Sequence, residues 1–155
     1  MYHAIVRRKI ASAFDAINRG DYSGIAAQFA PHHRHVMYGM HALAGERTTA
    51  GSTARWYGRL QRLLPGLRFD VHAIAVTGGP ARTQVLVRWT DHFRLPDGAM
   101  GSNQGVHAFT LRWGRVAVLE VHCDTARLAA YCERMAAAGL AEAAAAPISD
   151  VAWSG

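Results

Sequence analysis

The chain has 155 residues, 50% of them hydrophobic and 18% charged, which suits one domain with a packed core and is short for two. Its formal charge of +6 comes from sixteen Arg and a single Lys spread through every segment. No basic run interleaved with aromatics tracks a phosphate backbone, so nucleic acid is not an expected partner. Apolar stretches end well before the ~18 residues of a membrane span, MYHAIVRRKI lacks the pattern of a signal peptide, and Cys123 and Cys132 fit no CxxC spacing. These features predict a cytoplasmic protein with reduced thiols and no membrane partner.

Residues 4–18 place Val6, Ile10, Ala13, Phe14 and Ile17 on one face at helical spacing. Gly20 as a stop and Asp21 as an N-cap then predict a short second helix over 22–30, ended by Pro31. In the following HHRHVMYGMHALAGERTTAGS, Val36–Met40 is read as a short strand, with Gly39, Gly45 and Gly51 marking loops around it. Ser52 or Thr53 caps a third helix whose Trp56, Tyr57, Leu60, Leu63 and Leu64 form one apolar face, closed by Pro65-Gly66. The period then changes to two, predicting strands at 67–77, 82–94, 102–112 and 115–123 joined by turns at Gly79-Pro80, Pro96-Asp97-Gly98 and Trp113-Gly114. Thr125–Leu140, with Leu128, Cys132 and Met135 on one side, is a last helix. Residues 1–140 are read as a single domain and 141–155 as a tail. Helices followed by a four-strand meander make an α+β fold, in which a strongly curved antiparallel sheet and packed helices enclose one apolar pocket for a small organic molecule.

A two-residue Trp113-Gly114 loop sets the register of the last hairpin. Arg112 is expected opposite Arg115, then Leu111 opposite Val116, Phe109 opposite Val118, His107 opposite Glu120, Gly105 opposite His122 and Asn103 opposite Asp124. That register gathers His107, His122, Glu120, Asp124 and Asn103 on one face; a one-residue bulge would reassign the faces. If that face lines the pocket, desolvation raises the basicity of Asp124, and a neighbouring imidazole donates to an oxygen on which charge develops.

Each candidate also has a plain structural reading. Asp124 precedes the last helix, where an N-cap carboxylate belongs. His107, His122 and Glu120 can pair across the sheet. Trp56, Tyr57, Trp89 and Phe109 are core residues first and cavity walls second, and with Asn103 and Tyr38 they are the expected substrate contacts. His32, His33, His35 and His41 have no acidic or Cys companions, so they are read as loop imidazoles and no metal is expected. No nucleophile elbow, P-loop or dinucleotide motif is present. The proposed proton transfer needs no cofactor.

NRGDYSGIAAQFAP, GMHALAGERT, LPGLRFDVHAIAVTG, the DG turn and GVHAFTLRWGRVAVLEVHCD, running in order through most of residues 4–128, resemble the SnoaL-like branch of the nuclear-transport-factor-2-like superfamily. The resemblance implies a cystatin-like α+β barrel, a cone of helices around a curved sheet, commonly dimeric through the outer face of the sheet. It also implies an apolar interior of the kind used by polyketide ester cyclases, ketosteroid isomerases and small epoxide hydrolases. In the cyclases an Asp near the end of the last strand is the general base and a His on the neighbouring strand lies close; Asp124 and His107 match those positions. The pattern departs at Glu120, where an aromatic or His is more usual, and at His122. The implied activity is cofactor-independent cyclisation, isomerisation or dehydration of a polyketide-, steroid- or terpenoid-like substrate. The alternatives are a non-catalytic ligand-binding or dimerisation module and a small epoxide hydrolase.

Overall fold

In the computed structural model, which describes residues 1–155, the stripe Val6, Ile10 and Phe14 is buried along one side of helix α1 (Tyr2–Asn18). This helix lies against strand β3 (Arg68–Gly79). Asn18 fastens its last turn: the side-chain amide donates to Phe69 O at 2.9 Å and accepts from Phe69 N–H at 2.7 Å. Helix α2 (Ala50–Leu63) starts at Thr49, whose hydroxyl accepts from the Ser52 N–H, and it buries Trp56, Leu60 and Leu63. Helix α3 (Thr125–Ala137) starts at Asp124 in the same way and buries Leu128, Cys132 and Met135. Each cap satisfies an N–H that the first turn leaves without a partner.

Strands β1 (Phe29–Met37), β2 (Gly45–Arg47), β3, β4 (Arg82–Arg94), β5 (Met100–Arg112) and β6 (Arg115–Cys123) form one sheet in the order β2-β1-β6-β5-β4-β3. The predicted antiparallel meander is present as β3 to β6. Strand β1 joins β6 in parallel, so the curved, unclosed sheet is mixed. Its inner face buries Val85, Val87, Trp89 and Phe93 of β4, Phe109 and Leu111 of β5, and Leu119 and Val121 of β6 against the helices.

Two expectations are corrected before α2. Residues 22–30 hold only a 3-10 turn at Ala26–Gln28 before the chain extends, and the stretch read largely as loop belongs to β1. Most of this segment is extended by β6, which lies far along the chain, and β2 adds only three residues on the other side, so no local signature marks the strand. Pro31 is tolerated because the pairing of β1 with β6 shifts between Phe29 and Arg34, so its missing N–H breaks no regular ladder there.

The last hairpin turns on Trp113 (φ 50) and Gly114 (φ 77), the two positive φ angles of a type I′ loop. Arg112 faces Arg115 and Leu111 faces Val116, as the loop length predicts. A bulge follows: Thr110 pairs with Val118, leaving Ala117 over, and the register becomes Phe109 with Leu119, His107 with Val121 and Gly105 with Cys123. The expected pairings of Phe109 with Val118, His107 with Glu120 and Gly105 with His122 are therefore overturned. Side chains alternate along a strand, so the one-residue shift exchanges the faces of β6. His107, Asn103 and Phe109 face the helices, whereas Glu120 and His122 face outward.

The segment after Leu140 is bound along its length. Glu142 receives Arg59 Nε at 3.3 Å and Arg62 Nε at 2.7 Å. The Asp150 carboxylate accepts from the Thr48 N–H at 2.9 Å, the Thr48 and Thr49 hydroxyls at 3.0 and 3.2 Å, and the Ser52 hydroxyl at 2.5 Å. Desolvation is the largest single influence on Asp150 and pushes its pKa up, but these contacts together outweigh it and hold the value down at about 2. Asp150→Ala should cost about 1–2 kcal/mol of stability at neutral pH, a cap-sized loss. A depressed carboxylate stabilises above its unfolded pKa and loses that effect as pH falls through the folded value. Urea unfolding of the two proteins should therefore converge between about pH 4 and pH 2.

Candidate active site

Strand β4 carries the inward series Val85, Val87, Trp89, Asp91 and Phe93, so one carboxylate stands in an otherwise apolar row. Asp91 is 6% exposed. Its Oδ1 accepts from the Asn103 N–H at 2.7 Å, yet desolvation outweighs that bond and lifts its pKa to about 6. Asn103 is itself held, with its side-chain N–H donating to Asp124 O at 3.0 Å.

On β5 the inward His107 accepts the Trp89 indole N–H at Nδ1, 2.7 Å away. An indole nitrogen only donates, so the neutral imidazole carries its proton on Nε2. Burial lowers the His107 pKa to about 3, which keeps the ring neutral and Nε2–H a donor. Gly105 makes this geometry possible: a Cβ there would stand 2.7 Å from the Trp89 ring and 2.2 Å from His122 O.

Two small cavities of about 40 and 50 Å³ separate the sheet from the helices. Ile17, Tyr57 and His107 line both. The first also touches Trp56, Trp89, Asp91, Asn103 and Cys123, and the second touches Phe29 and Phe109. Burial pushes the Tyr57 pKa well above its ordinary value, so its hydroxyl remains protonated. Cys123 is likewise pushed up to about 12, first by burial and then by Asp91 and Asp124, which leaves it a thiol.

Behind Tyr57 lies a second buried polar group, in a stretch whose sequence reads as loop. His35 stacks on Tyr57 with ring centroids 5.7 Å apart and accepts Arg47 Nε at Nδ1, 3.0 Å away. Arg47 is fully buried, and it donates further to Ala44 O and Ile148 O at 3.2 and 2.7 Å. Desolvation lowers its pKa to about 10, so the guanidinium stays charged at neutral pH. His35 is held well below its usual value, by burial first and then by Arg47. Its Nε2 and the Nη2 of Arg47 have no partner.

The expected site residues thus divide into two groups. His107, Asn103, Phe109, Trp56, Tyr57 and Trp89 meet around the interior cavities. Asp124, His122, Glu120 and Tyr38 lie elsewhere. Asp124 is the N-cap of α3, accepting the Arg127 N–H at 3.0 Å, with 42% of its side chain exposed. On the outer face Tyr38 stacks on His122 and donates to Glu120 at 2.6 Å, and Arg34 bridges Glu120 and Glu46. His33 and His41 are buried rather than loop imidazoles: His33 sits between Ala30 O and the Thr53 hydroxyl, and His41 donates to Tyr38 O. No group of three His, Cys, Asp or Glu is gathered as a metal centre. Asp91 was the interior residue missed, although its place in the alternating run Val85 to Phe93 was a visible signal. His35 and Arg47 had no such signal.

Three helices packed on a curved, unclosed six-strand mixed sheet over an apolar interior define an α+β fold of the nuclear-transport-factor-2-like type. The chain belongs to the SnoaL-like domain family, whose model matches residues 10–119. No curated protein matches it by sequence. Among solved structures, it is similar to a nuclear-transport-factor-2-like protein of unknown function from Burkholderia pseudomallei, at 20% identity and TM-score 0.71, covering 81% of this chain and 95% of that one. It is also similar to AclR, a candidate hydroxylase from Streptomyces galilaeus, at 20% identity and TM-score 0.65, covering 86% and 85%. IdmH, a candidate polyketide cyclase from Streptomyces antibioticus, matches at 18% identity and TM-score 0.63, covering 82% and 97%. These likenesses carry the fold.

Two stability measurements check the electrostatics of the interior. The unfolded chain protonates His107 near pH 6.5, whereas the folded chain resists to about pH 3, so stability should fall as pH drops through that window. His107→Phe should flatten this slope in denaturant titrations. Asp91 shows the opposite sign: its raised pKa, from 3.8 to about 6, favours the fold below pH 3.8 and weakens it as pH rises through 6. Asp91→Asn should therefore gain up to about 3 kcal/mol relative to the parent between pH 4 and pH 8.

Proposed function

We propose that the protein is a cofactor-independent acid–base enzyme that enolises an apolar, conjugated carbonyl compound, as a step in cyclising, isomerising or dehydrating it. The observation that carries this reading is Asp91, a buried carboxylate with a pKa of about 6 that lines the same cavity as His107, whose neutral ring carries its proton on Nε2. At neutral pH Asp91 is ionised, poorly solvated and basic enough to accept a carbon-bound proton. The negative charge then moves onto the carbonyl oxygen, where a neutral imidazole N–H can stabilise it. Protonation at another carbon returns the proton and completes an isomerisation.

The strand register gives the substrate its shape. Asp91 pairs with Asn103, and His107 lies four residues further along β5, about 13 Å of strand. Even with both side chains leaning together, a carboxylate and an N–H so placed suit a π system that carries charge over several atoms, as a dienolate does. We assign the base to Asp91 rather than Asp124, whose carboxylate is engaged as a helix cap on the other side of the sheet. The epoxide-hydrolase alternative calls for two carboxylates, and the cavities present one. The small volume of the cavities favours a second reading, a module that holds a ligand without transforming it. We further propose that copies pair through the outer sheet face, where Leu86 is 52% exposed beside Val106 and Ala108, and that the protein works in the cytoplasm. No helix is long and apolar enough to cross a membrane.

The test is deuterium exchange at the γ carbon of 2-cyclohexenone in D₂O, followed by proton NMR. The wild-type rate should rise as pH passes about 6 and then level off, because the ionised carboxylate is the base. Asp91→Asn should lower it about a hundredfold, and Asp124→Asn should leave it within about twofold. Binding of the enone without Asp91-dependent exchange would favour the non-catalytic module.

A further inference from the structure

A ligand must reach the interior, and two surface clefts share wall residues with the cavity that holds Asp91. One, of about 440 Å³ on the outer sheet face, shares Trp89 and Cys123. These residues belong to an unbroken ladder, with Trp89 paired to Gly105 and Gly105 to Cys123. Passage there would require parting strands. The other cleft, of about 420 Å³, lies between the end of α1 and the segment following α2, and shares Ile17, Leu64 and Leu67. Ile17, Leu64 and Leu67 belong to no strand ladder, and rotation of side chains is far faster and cheaper than breaking one. Leu64 and Leu67 also flank Pro65-Gly66, where Gly66 has a φ of 70, so both sit on a turn rather than inside a helix. We infer that this cleft is the mouth.

The chemistry of its rim is one-sided. Arg19 and Arg68 line the cleft and no carboxylate does. Neither guanidinium takes part in a salt bridge, although Arg62 nearby in sequence is committed to Glu142. Of the acids near them along the chain, Asp21 accepts from the Ser23 N–H and hydroxyl, Asp70 pairs with His92, and Asp15, one turn before Arg19 on α1, lies outside the cleft and forms no salt bridge with it. A cation after the end of α1 complements the helix dipole, which accounts for Arg19 alone; Arg68 begins an edge strand and has no such role.

We propose that the ligand is an amphiphilic carboxylate. Its apolar body passes Ile17, Leu64 and Leu67 into the cavity beside Asp91 and His107, and its carboxylate stays at the mouth on Arg19 and Arg68. Two planar guanidiniums without acidic partners are suited to a carboxylate, which each can grip with paired N–H donors. Keeping the charge at the mouth also spares the ligand the cost of desolvating it within the apolar interior. The inference rests on the interior being the ligand site and adds the class of molecule that enters it.

The experiment compares octanoate with 1-octanol, an apolar chain of the same length lacking the charge. Binding is read from tryptophan emission, because Trp56 and Trp89 line the cavity. Octanoate should bind the full-length protein about tenfold or more tightly than 1-octanol at low salt, with the margin shrinking as salt is added. The double variant R19Q/R68Q, altered only at exposed positions, should bring the two ligands within about twofold while leaving 1-octanol affinity unchanged. Equal affinities in the wild type, or a preference that survives in the double variant, would overturn the anionic class and leave the interior reading standing. If neither ligand alters the emission at millimolar concentration, the mouth and the interior site fall together.

Discussion

The arrangement of the interior depends on one extra residue in β6. Without the bulge at Ala117, the hairpin register would turn Glu120 and His122 inward and leave Leu119 and Val121 facing water. With it, Leu119 and Val121 are 2% and 3% exposed, and Glu120 meets Tyr38 and Arg34 on the outer face. Burying the two aliphatic side chains gains about 1.5–3 kcal/mol each, and burying an unpaired carboxylate would cost several more. That difference exceeds the loss of one regular ladder step, so the bulge is the low-energy answer for this sequence. It also separates the His107 side of the sheet from the Asp124 side.

What remains inside is a small set of polar groups whose protonation is set by burial. Asp91 is pushed up, His107 and His35 are pushed down, and Tyr57 keeps its proton. Each imidazole has its tautomer chosen by a neighbour that can only donate, the Trp89 indole in one case and the Arg47 guanidinium in the other. The interior therefore offers one acceptor and several donors, an arrangement that favours an oxygen gaining negative charge. Arg47 adds a buried positive charge with no carboxylate within salt-bridge distance, 5.1 Å from the Trp56 ring. Its bond to Ile148 O ties this charge to the segment after α3. That segment is thus part of the packed structure, and its ordering follows from the polar groups it satisfies on β2 and α2.

Local physics made much of this legible. The 3.6-residue stripes of α1, α2 and α3, the alternation of β3 to β6, and the Trp113-Gly114 turn each depend on neighbours within a few residues, and each appears where the sequence pattern puts it. The family resemblance joins those pieces into the correct α+β class. Asp91 could have been found by the same logic, because a carboxylate in the run Val85, Val87, Trp89, Phe93 breaks a strict alternation. Residues 22–37 carry no such pattern, because a strand held mainly by the distant β6 has no periodic signature of its own when it contains Pro31 and three histidines.

The sequence by itself determined the elements of the meander, the helices that cover it, and which residue types were available for acid–base chemistry. Only the tertiary structure decided which of them share a cavity. Side-chain facing along a strand has a period of two, so a single bulged residue carries Asp124, His122 and Glu120 away from His107 and leaves Asp91 as its buried counterpart. Bulges and parallel pairing respond to the total burial of the sheet, a property of all six strands together that no local stretch of sequence contains.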